Sequence, residues 1–203
     1  STTDPLHVST VPLADADILA PVLGQFLRAH PSLRIRLEGD WKAVDIAGGE
    51  ADIAIRIVTE LPPDAIPVCP VVLAPVCAPA LAAGIAADAP AGFAGLTVYR
   101  LVDFAESWPR WCAAQGWPDT TANVVMMNNY RGLLAATAQG HGMTLGAFPF
   151  IVDWLEDGRL VLPLPARQLV VGHLCIVVRD AVRRRRDVAD FIAWVRDLFR
   201  GLE

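Results

Sequence analysis

The sequence has no long hydrophobic run and no signal-peptide pattern. None of its apolar stretches approaches the roughly 18 consecutive residues that a membrane-spanning helix requires, and the N-terminus lacks a basic segment followed by an apolar one. These absences predict a soluble cytoplasmic domain that makes no membrane contact.

Basic residues are scarce and almost all of them are arginine. Lys42 is the only lysine, and the net charge is −5. The run Arg183–Arg186 is interpreted as a solvated turn. Without an extended basic surface, this segment is not expected to bind nucleic acid itself.

Sequence motifs of the common catalytic sites are also missing. There is no GxSxG, HExxH, P-loop or GxGxxG motif, and the four histidines are isolated from one another. Four scattered cysteines without a CxxC pair indicate free thiols in a reducing compartment rather than disulfides or zinc: Cys69, Cys77, Cys112 and Cys175. We therefore expect no enzyme, no catalytic residue, no metal and no cofactor.

What the chain does contain is a strongly apolar segment, Ala51–Val58, interrupted by one charge. Its β-branched residues predict a central strand of a parallel sheet. Arg56 lies near its end, on the strand face opposite Ile55. Burying an unpaired guanidinium is costly, so Arg56 either pairs with a neighbouring Asp or receives an anion at the strand's carboxyl end, where open α/β sheets bind ligands.

The flanking segments predict a β-α-β-α-β order. A strand at Leu6–Val11 precedes an amphipathic helix that Asp15 or Asp17 can cap. A half-exposed edge strand follows at Leu33–Leu37, and then a short helix around Ala43–Ala47. With right-handed crossovers this order gives a parallel sheet.

The proline-rich segment Ile66–Ala80 predicts an extended crossover to a second lobe. The strand Leu169–Val178 returns from that lobe, and a last amphipathic helix starts at Asp187. We expect an α/β protein with lobe I in residues 1–74, lobe II in 75–169, and the return strand and C-terminal helix of lobe I in 170–203. In lobe II, strands are predicted at Leu96–Leu101, Asn123–Met127 and Met143–Leu145, and helices from Ser107 and after Asn128 or Asn129.

Small polar residues lie at several strand-to-helix turns. They are Ser9 and Thr10, Asp40 and Trp41, and Asn128 and Asn129. Such groups are suited to gripping a small polar ligand, although ordinary helix capping would explain each of them alone. Together with Arg56, they predict a binding cleft between the lobes.

An ordered set of motifs resembles the effector-binding domain of LysR-type transcriptional regulators. It consists of VSTVP, LAPVLGQFLRAHPSLRIRL, VDIAGGEADIAIR, LAPVCAPAL, a W-x-x-W of Trp108 and Trp111, LLAATAQGHGMTLG and LEDGRL. The set extends over essentially the whole chain, and it is most similar to the branch with the glycine-cleavage and β-lactamase regulators.

The resemblance implies a periplasmic-binding-protein type 2 fold, in which two Rossmann-like α/β lobes are joined by two crossover strands. It also implies an inducer between the lobes and an N-terminal winged helix-turn-helix that this sequence lacks. The regulator would touch DNA only through that domain. It would form a homodimer, or a tetramer at full length, with the helix Ile18–Ala29 packed against the helix Arg131–Gln139 of a second copy.

The resemblance also suggests ligand contacts. Thr10 matches a ligand-contacting turn, and Asp45 an acidic position implicated in the β-lactamase branch. Asn129 and His173 lie near positions that are often Ser and Tyr in the family, so the ligand's identity stays open. The complete expected ligand-binding set is Ser9, Thr10, Val11, Asp40, Trp41, Asp45, Arg56, Asn128, Asn129, Phe148 and His173.

The functional expectation is therefore a sensor domain for a small polar metabolite, anionic or zwitterionic, that modulates transcription. Two alternatives remain at this stage: a free-standing solute-binding protein, and an enzyme on the same fold.

Overall fold

The computed structural model describes residues 4–85, 93 and 95–202. The chain divides into two units, of which unit 1 is Ser1–Val71 with Gly172–Glu203 and unit 2 is Val72–Val171. The strands are β1 Leu6–Thr10, β2 Ile35–Gly39, β3 Ile53–Val58, β4 Ile66–Cys77, β5 Thr97–Leu101, β6 Asn123–Met127, β7 Gly142–Phe148 and β8 Leu169–Val178. The α-helices are α1 Pro12–Ala14, α2 Ala20–Ala29, α3 Pro79–Ala82, α4 Ser107–Ala114, α5 Tyr130–Ala138, α6 Val152–Glu156 and α7 Arg186–Arg200.

The sheet of unit 1 has the strand order β2-β1-β3-β8. Strand β1 is parallel to both β2 and β3, whereas β8 is antiparallel to β3. The predicted edge strand is indeed at the edge, because β2 pairs only with β1 within this order. The predicted central strand is confirmed as β3, which lies between β1 and the returning strand β8.

One face of this sheet carries the main core of unit 1. Leu6, Val8, Ile53 and Ile55 are completely buried on that face. Helices α2 and α7 contact each other through Phe26 and Phe191, with a ring-centroid distance of 5.6 Å. Burying aromatic and branched side chains is the dominant stabilising term for such a layer.

The first helical segment begins earlier than the sequence predicted. It starts at Pro12 after an extended Val11, so neither Asp15 nor Asp17 caps it. Between α1 and α2 the chain forms a π-helical segment, Asp15–Leu19, in which the N–H of Ala20 donates to the carbonyl of Asp15. Pro21 explains the wider turn, since proline lacks an N–H and its ring crowds the carbonyl four residues earlier.

The predicted short helix around Ala43–Ala47 is wrong, and a turn occupies this position. Asp45 Oδ1 accepts the N–H of Gly48 at 2.8 Å, and the N–H of Asp45 donates to Glu50 Oε2 at 2.7 Å. Gly49 has a φ of 85°, which a residue with a side chain rarely adopts. Local carboxylate bonds compete with helix formation in so short a segment.

Unit 2 has the strand order β4-β7-β5-β6, in which β5 is parallel to β6 and β7 while β4 is antiparallel to β7. An aromatic cluster forms part of its core: Phe93, Trp108, Trp111 and Trp117. The indole Nε1–H of Trp111 donates to the carbonyl of Arg167 at 3.0 Å, so this buried donor is satisfied.

The structure describes all four cysteines, which are buried and are not joined in disulfides. Burial raises the pKa of the Cys77 and Cys112 thiols to about 11. They are therefore protonated and unreactive at neutral pH. In the described part of the chain, the helices are too short or too polar to cross a membrane.

Candidate functional site

Within the described part of the chain, Arg56 donates hydrogen bonds only to neutral oxygens. Its Nη2 group donates to Ser9 Oγ at 2.7 Å and to the carbonyl of Lys42 at 3.1 Å, and Nη1 donates to the carbonyl of Ile55 at 2.9 Å. Arg56 thus ties the carboxyl ends of β1 and β3 to the segment that follows β2. The sequence left open that Arg56 pairs with a neighbouring Asp. No Asp is hydrogen-bonded to Arg56 among the described residues.

The charge of Arg56 is only partly compensated. Its Nε is buried and has no hydrogen-bond partner in the described part of the chain. Burial lowers the pKa of the guanidinium, and the nearby charge of Asp40 opposes that effect. An arginine does not lose its proton in proteins, so the site keeps a positive charge and an unused donor.

Because side chains alternate along a strand, the predicted ligand-binding residues of unit 1 fall into two groups, one on each face of the sheet. Ser9 lies beside Ala54 in the β1–β3 register, so its side chain shares the face of Arg56. His173 lies opposite Val58 in the β3–β8 register and also belongs to that face. Thr10 lies beside Ile55 and therefore faces the other way.

Thr10 is completely buried, and its Oγ1 has no hydrogen-bond partner among the described residues. Its carbonyl accepts the N–H of Asp40 at 2.9 Å, which joins the ends of β1 and β2. The buried Val11 follows, and its carbonyl accepts the N–H of Ala14 in the first turn of α1. A buried hydroxyl without a partner is destabilising, and it marks this turn as a position where a ligand could complete the bonding.

The segment Asp40–Asp45 is exposed or half-buried. Asp40 Oδ1 accepts the N–H of Lys42 at 2.8 Å and so shapes the loop that presents the Lys42 carbonyl to Arg56. Trp41 is half-buried within this loop. Asp45 is exposed, and one of its carboxylate oxygens already bonds within its own turn.

The other three predicted residues lie in unit 2. Asn129 caps α5, its Oδ1 accepting the N–H of Gly132 at 2.9 Å, while Asn128 is exposed. Phe148 is half-buried at the end of β7. The N–H of Ala147 donates to the Tyr130 hydroxyl at 2.8 Å, which links the start of α5 to the end of β7.

Asn129→Ala is expected to destabilise the domain by about 1 kcal/mol, because it removes a side-chain cap from α5. Asn129→Asp keeps the capping oxygen and serves as the matched control. Urea unfolding of the three proteins checks this expectation. Equal stability of the alanine variant and the unmodified domain would show that the cap contributes nothing.

Sequence reasoning missed two participants at the end of β1 and β2. The backbone carbonyl of Lys42 leaves no sequence signal. Asp15 was considered only as a helix cap, yet its carboxylate lies against Gly39, where Oδ2 is 2.5 Å from the position that a Cβ would occupy. A glycine at the end of a strand was the available signal, because it permits such a close approach.

Comparison with known proteins gives a consistent assignment. A family model described as the LysR substrate binding domain matches residues 1–200. The chain is 31% identical over 147 residues to the HTH-type transcriptional activator AmpR of Rhodobacter capsulatus, covering 71% of this chain and 50% of that protein. It is 27% identical over 199 residues to AmpR of Citrobacter freundii, covering 96% of this chain and 67% of that protein. The chain thus spans about half the length of the first relative and about two thirds of the second.

Solved structures show the same fold. The AmpR effector binding domain from Citrobacter freundii superposes with a TM-score of 0.79 at 23% identity, covering 98% of this chain and 100% of that chain. The effector domain of AmpR of Pseudomonas aeruginosa gives 0.78 at 25% identity, with 98% of each chain covered. CrgA of Neisseria meningitidis, a LysR-type transcriptional regulator, gives 0.82 at 16% identity, covering 97% of this chain and 69% of that chain. These likenesses confirm the expected periplasmic-binding-protein type 2 fold.

Proposed function

The chain belongs to the family of LysR substrate-binding domains, and from this premise we propose that it senses a small anionic effector and passes the signal to the DNA-binding part of the same transcriptional regulator. The effector's anionic group would approach Arg56 and Ser9 at the carboxyl end of the unit 1 sheet. Thr10 and the N-terminal turn of α1 would contact its polar groups.

The observation that carries this proposal is the bonding state of Arg56. Its guanidinium holds three neutral oxygens, keeps one buried N–H without a partner in the described chain, and forms no ion pair with a described carboxylate. An anion would bind such a guanidinium more strongly than these neutral oxygens do, because charge-assisted hydrogen bonds are about twice as strong as neutral ones. The carboxyl ends of strands are also the usual ligand position in open α/β sheets.

The role in transcription rests on the relatives. The two AmpR proteins are HTH-type transcriptional activators, which agrees with the expectation that this domain is not an enzyme. DNA contact would occur through an N-terminal winged helix-turn-helix outside the sequence given, and the complete regulator would act in the cytoplasm. A solute-binding or enzymatic role has no comparable support.

A thermal-shift screen of the purified domain tests the proposal. Carboxylic acids, amino acids, aromatic acids and muropeptide fragments would be compared at fixed pH and ionic strength. A ligand present at about 100 times its Kd adds about 2.7 kcal/mol of apparent stability. A shift with acids that disappears in their uncharged amides would support an anionic effector, and equal shifts with acids and amides would contradict it.

Thr10→Val is expected to weaken effector binding about twofold to tenfold while leaving the domain at least as stable. The hydroxyl has no partner to lose among the residues that the structure describes, whereas one bond to a neutral ligand group contributes about 0.5–1.5 kcal/mol. Thr10→Ser keeps the hydroxyl and is the control. Calorimetric titration and urea unfolding give the two readouts. Lower stability with unchanged affinity would assign Thr10 a structural role only.

Assembly as a homodimer through α2 and α5 is part of the same proposal. Leu23 and Leu27 of α2 are half-buried and available to a partner. The sequence of α5 offers Leu133, Leu134, Ala135 and Ala138 as apolar residues for such a contact, but Leu133 and Leu134 are 1% and 0% exposed and belong to the core. The partner-facing surface of α5 would therefore consist of Arg131, Ala135 and Ala138, which are exposed or half-buried.

Leu23→Asp is expected to convert a dimer into a monomer at micromolar concentration, because a charge buried in an apolar contact lacks a partner. Sedimentation equilibrium measures the change. Gln25→Asp is the control, since position 25 lies about 200° around the helix from position 23. An unmodified domain that is monomeric at tens of micromolar, or a Leu23→Asp variant that stays dimeric, would contradict this interface.

A further inference from the structure

The carboxylate of Asp15 occupies a specific place beside the end of β1. Its Oδ2 lies 2.5 Å from the point where a Cβ on Gly39 would stand. Gly39 is the register partner of Thr10 in the parallel β1–β2 pair. Residues in register share a face of the sheet, so the Asp15 carboxylate, which rests on Gly39, lies on the same face as the Thr10 side chain. Gly39 and Thr10 belong to neighbouring strands about 4.8 Å apart.

The π-helical segment sets this position. Asp15 is its first residue, and its carbonyl accepts the N–H of Ala20 across the widened turn. Gly39 then allows the carboxylate to rest directly on the strand backbone, because any side chain at that position would collide with it. The widened turn and the glycine of β2 therefore together fix the position of the Asp15 carboxylate.

The Thr10 hydroxyl and the Asp15 carboxylate both lack a hydrogen-bond partner among the described residues. Thr10 is 0% exposed and its Oγ1 has no hydrogen-bond partner within the described residues. Asp15 is half-buried and forms no side-chain hydrogen bond or ion pair with any described residue, and burial raises the pKa of its carboxyl group. Buried polar groups in folded proteins nearly always have a partner, so the buried Thr10 hydroxyl indicates a ligand that supplies a donor. The half-buried Asp15 carboxylate on the same face is an acceptor that such a ligand would also meet.

We propose that Asp15, with Thr10, accepts the protonated amino group of the effector, so that the effector of this domain is zwitterionic. The inference rests on the proposed function, in which Arg56 receives the effector's anionic group. An ammonium group offers three donors and a positive charge, which match a carboxylate and a hydroxyl acceptor. A resident Mg²⁺ or Ca²⁺ fits poorly, since these ions take six or more oxygen ligands.

The two charged contacts would flank the end of β1. Thr10 and Ser9 are consecutive and face opposite sides of the sheet, with Asp15 on the side of Thr10 and Arg56 on the side of Ser9. A ligand that reaches both must pass over the end of the strand. Amino acids with different separations between the amino and carboxyl groups therefore distinguish the geometry.

The test compares matched probes on the purified domain by thermal shift and calorimetry. The pairs are alanine with propionate, 4-aminobutyrate with butyrate, and 6-aminohexanoate with hexanoate. We expect at least one amino acid to bind tenfold or more tighter than its acid. Asp15→Asn should remove this preference, lowering affinity for the amino acid about tenfold to a hundredfold while leaving affinity for the acid unchanged.

Two further variants keep the test independent of folding. Gly39→Ala retains the charge but displaces the carboxylate, and it should reduce the same preference. Asp64→Asn removes an exposed carboxylate elsewhere in unit 1 and should have no effect. Asp15→Asn should fold normally, because it replaces a half-buried charge, which has no side-chain partner in the described part of the chain, by a neutral group of the same shape.

The outcomes separate the two proposals. Equal affinity for the acid and the amino acid of every pair, or an unchanged preference in Asp15→Asn, overturns the role of Asp15 and leaves the anion site at Arg56 intact. Tight binding of an amino acid that Arg56→Gln does not weaken would overturn the anion site while retaining Asp15. No shift with either member of any pair overturns the zwitterion inference, and the wider screen then decides the proposed function.

Discussion

Arg56→Gln is expected to weaken binding of an anionic effector by about tenfold to a hundredfold. The size follows from the loss of charge-assisted hydrogen bonds, each of which contributes about 1.5–3 kcal/mol. The substitution also removes the donors that now hold Ser9 and the Lys42 carbonyl. The loop after β2 should therefore loosen, which amide hydrogen exchange would detect as faster exchange near Lys42.

Two controls make this expectation specific. Arg56→Lys keeps the charge but not the planar fork of donors, so it should recover part of the affinity and little of the loop order. Arg28→Gln removes an exposed arginine from α2 and should change neither property. Unchanged effector affinity in Arg56→Gln would show that Arg56 only fastens the loop, and the anion site would be rejected.

Asp52→Ala is expected to destabilise unit 1 by about 2–3 kcal/mol. Asp52 Oδ1 pairs with the guanidinium of Arg179, its Oδ2 accepts the N–H of His7 at 3.0 Å, and its carbonyl accepts the N–H of Arg179 at 2.9 Å. The side chains of Arg179 and Asp52 are 33% and 12% exposed. Removing one member of a buried pair costs about 3–5 kcal/mol, and partial exposure of Arg179 reduces that value.

A double-mutant cycle with Arg179→Ala measures the pair itself. If the ion pair accounts for most of the stability lost in Asp52→Ala, the variant with both substitutions should be little less stable than Asp52→Ala alone. In Asp52→Ala, Arg179 has already lost its carboxylate partner. Urea unfolding of the four proteins supplies the free energies. Additive losses would show that the two residues act independently and that the frame of β1, β3 and β8 is held mainly by other contacts.

Elements with a clear local signal were predicted well from the sequence. Strand β6 occupies Asn123–Met127 as expected, and Asn129 caps the following helix. A strand followed by a helix is identified directly when β-branched residues lie between asparagines and a glycine ends the helix. Strand β3 followed from its isoleucine pattern for the same reason.

Elements that depend on tertiary context were not predicted. The first helical segment begins at Pro12, and no periodicity signals the π turn Asp15–Leu19 that joins it to α2. The turn at Asp45 replaced a helix because carboxylate bonds to nearby N–H groups are not visible in hydrophobic spacing. Within the helix predicted to meet a second copy, Leu133 and Leu134 are buried in the core of unit 2, because an apolar stripe does not reveal which neighbour covers it.

The candidate site likewise has some features that the sequence signals locally and others that depend on tertiary context. The charge of Arg56 in an apolar strand was visible in the sequence, and its bond to Ser9 is a consequence of the parallel register. Its link to the Lys42 carbonyl and the approach of Asp15 to Gly39 depend on loop paths that the sequence does not encode locally. Strand alternation then separates Thr10 from Ser9, although both occur in one polar turn.

The central claim is that Arg56 receives the anionic group of a small effector, and its Nε–H resonance tests this most directly. A ¹H–¹⁵N spectrum of the purified domain, assigned through Arg56→Lys, would be recorded during titration with a ligand found by thermal shift. We predict a downfield shift of the Arg56 Nε–H signal that saturates with the calorimetric Kd, together with changes at Ser9 and Lys42. A ligand that binds and leaves all three signals unmoved would contradict the claim.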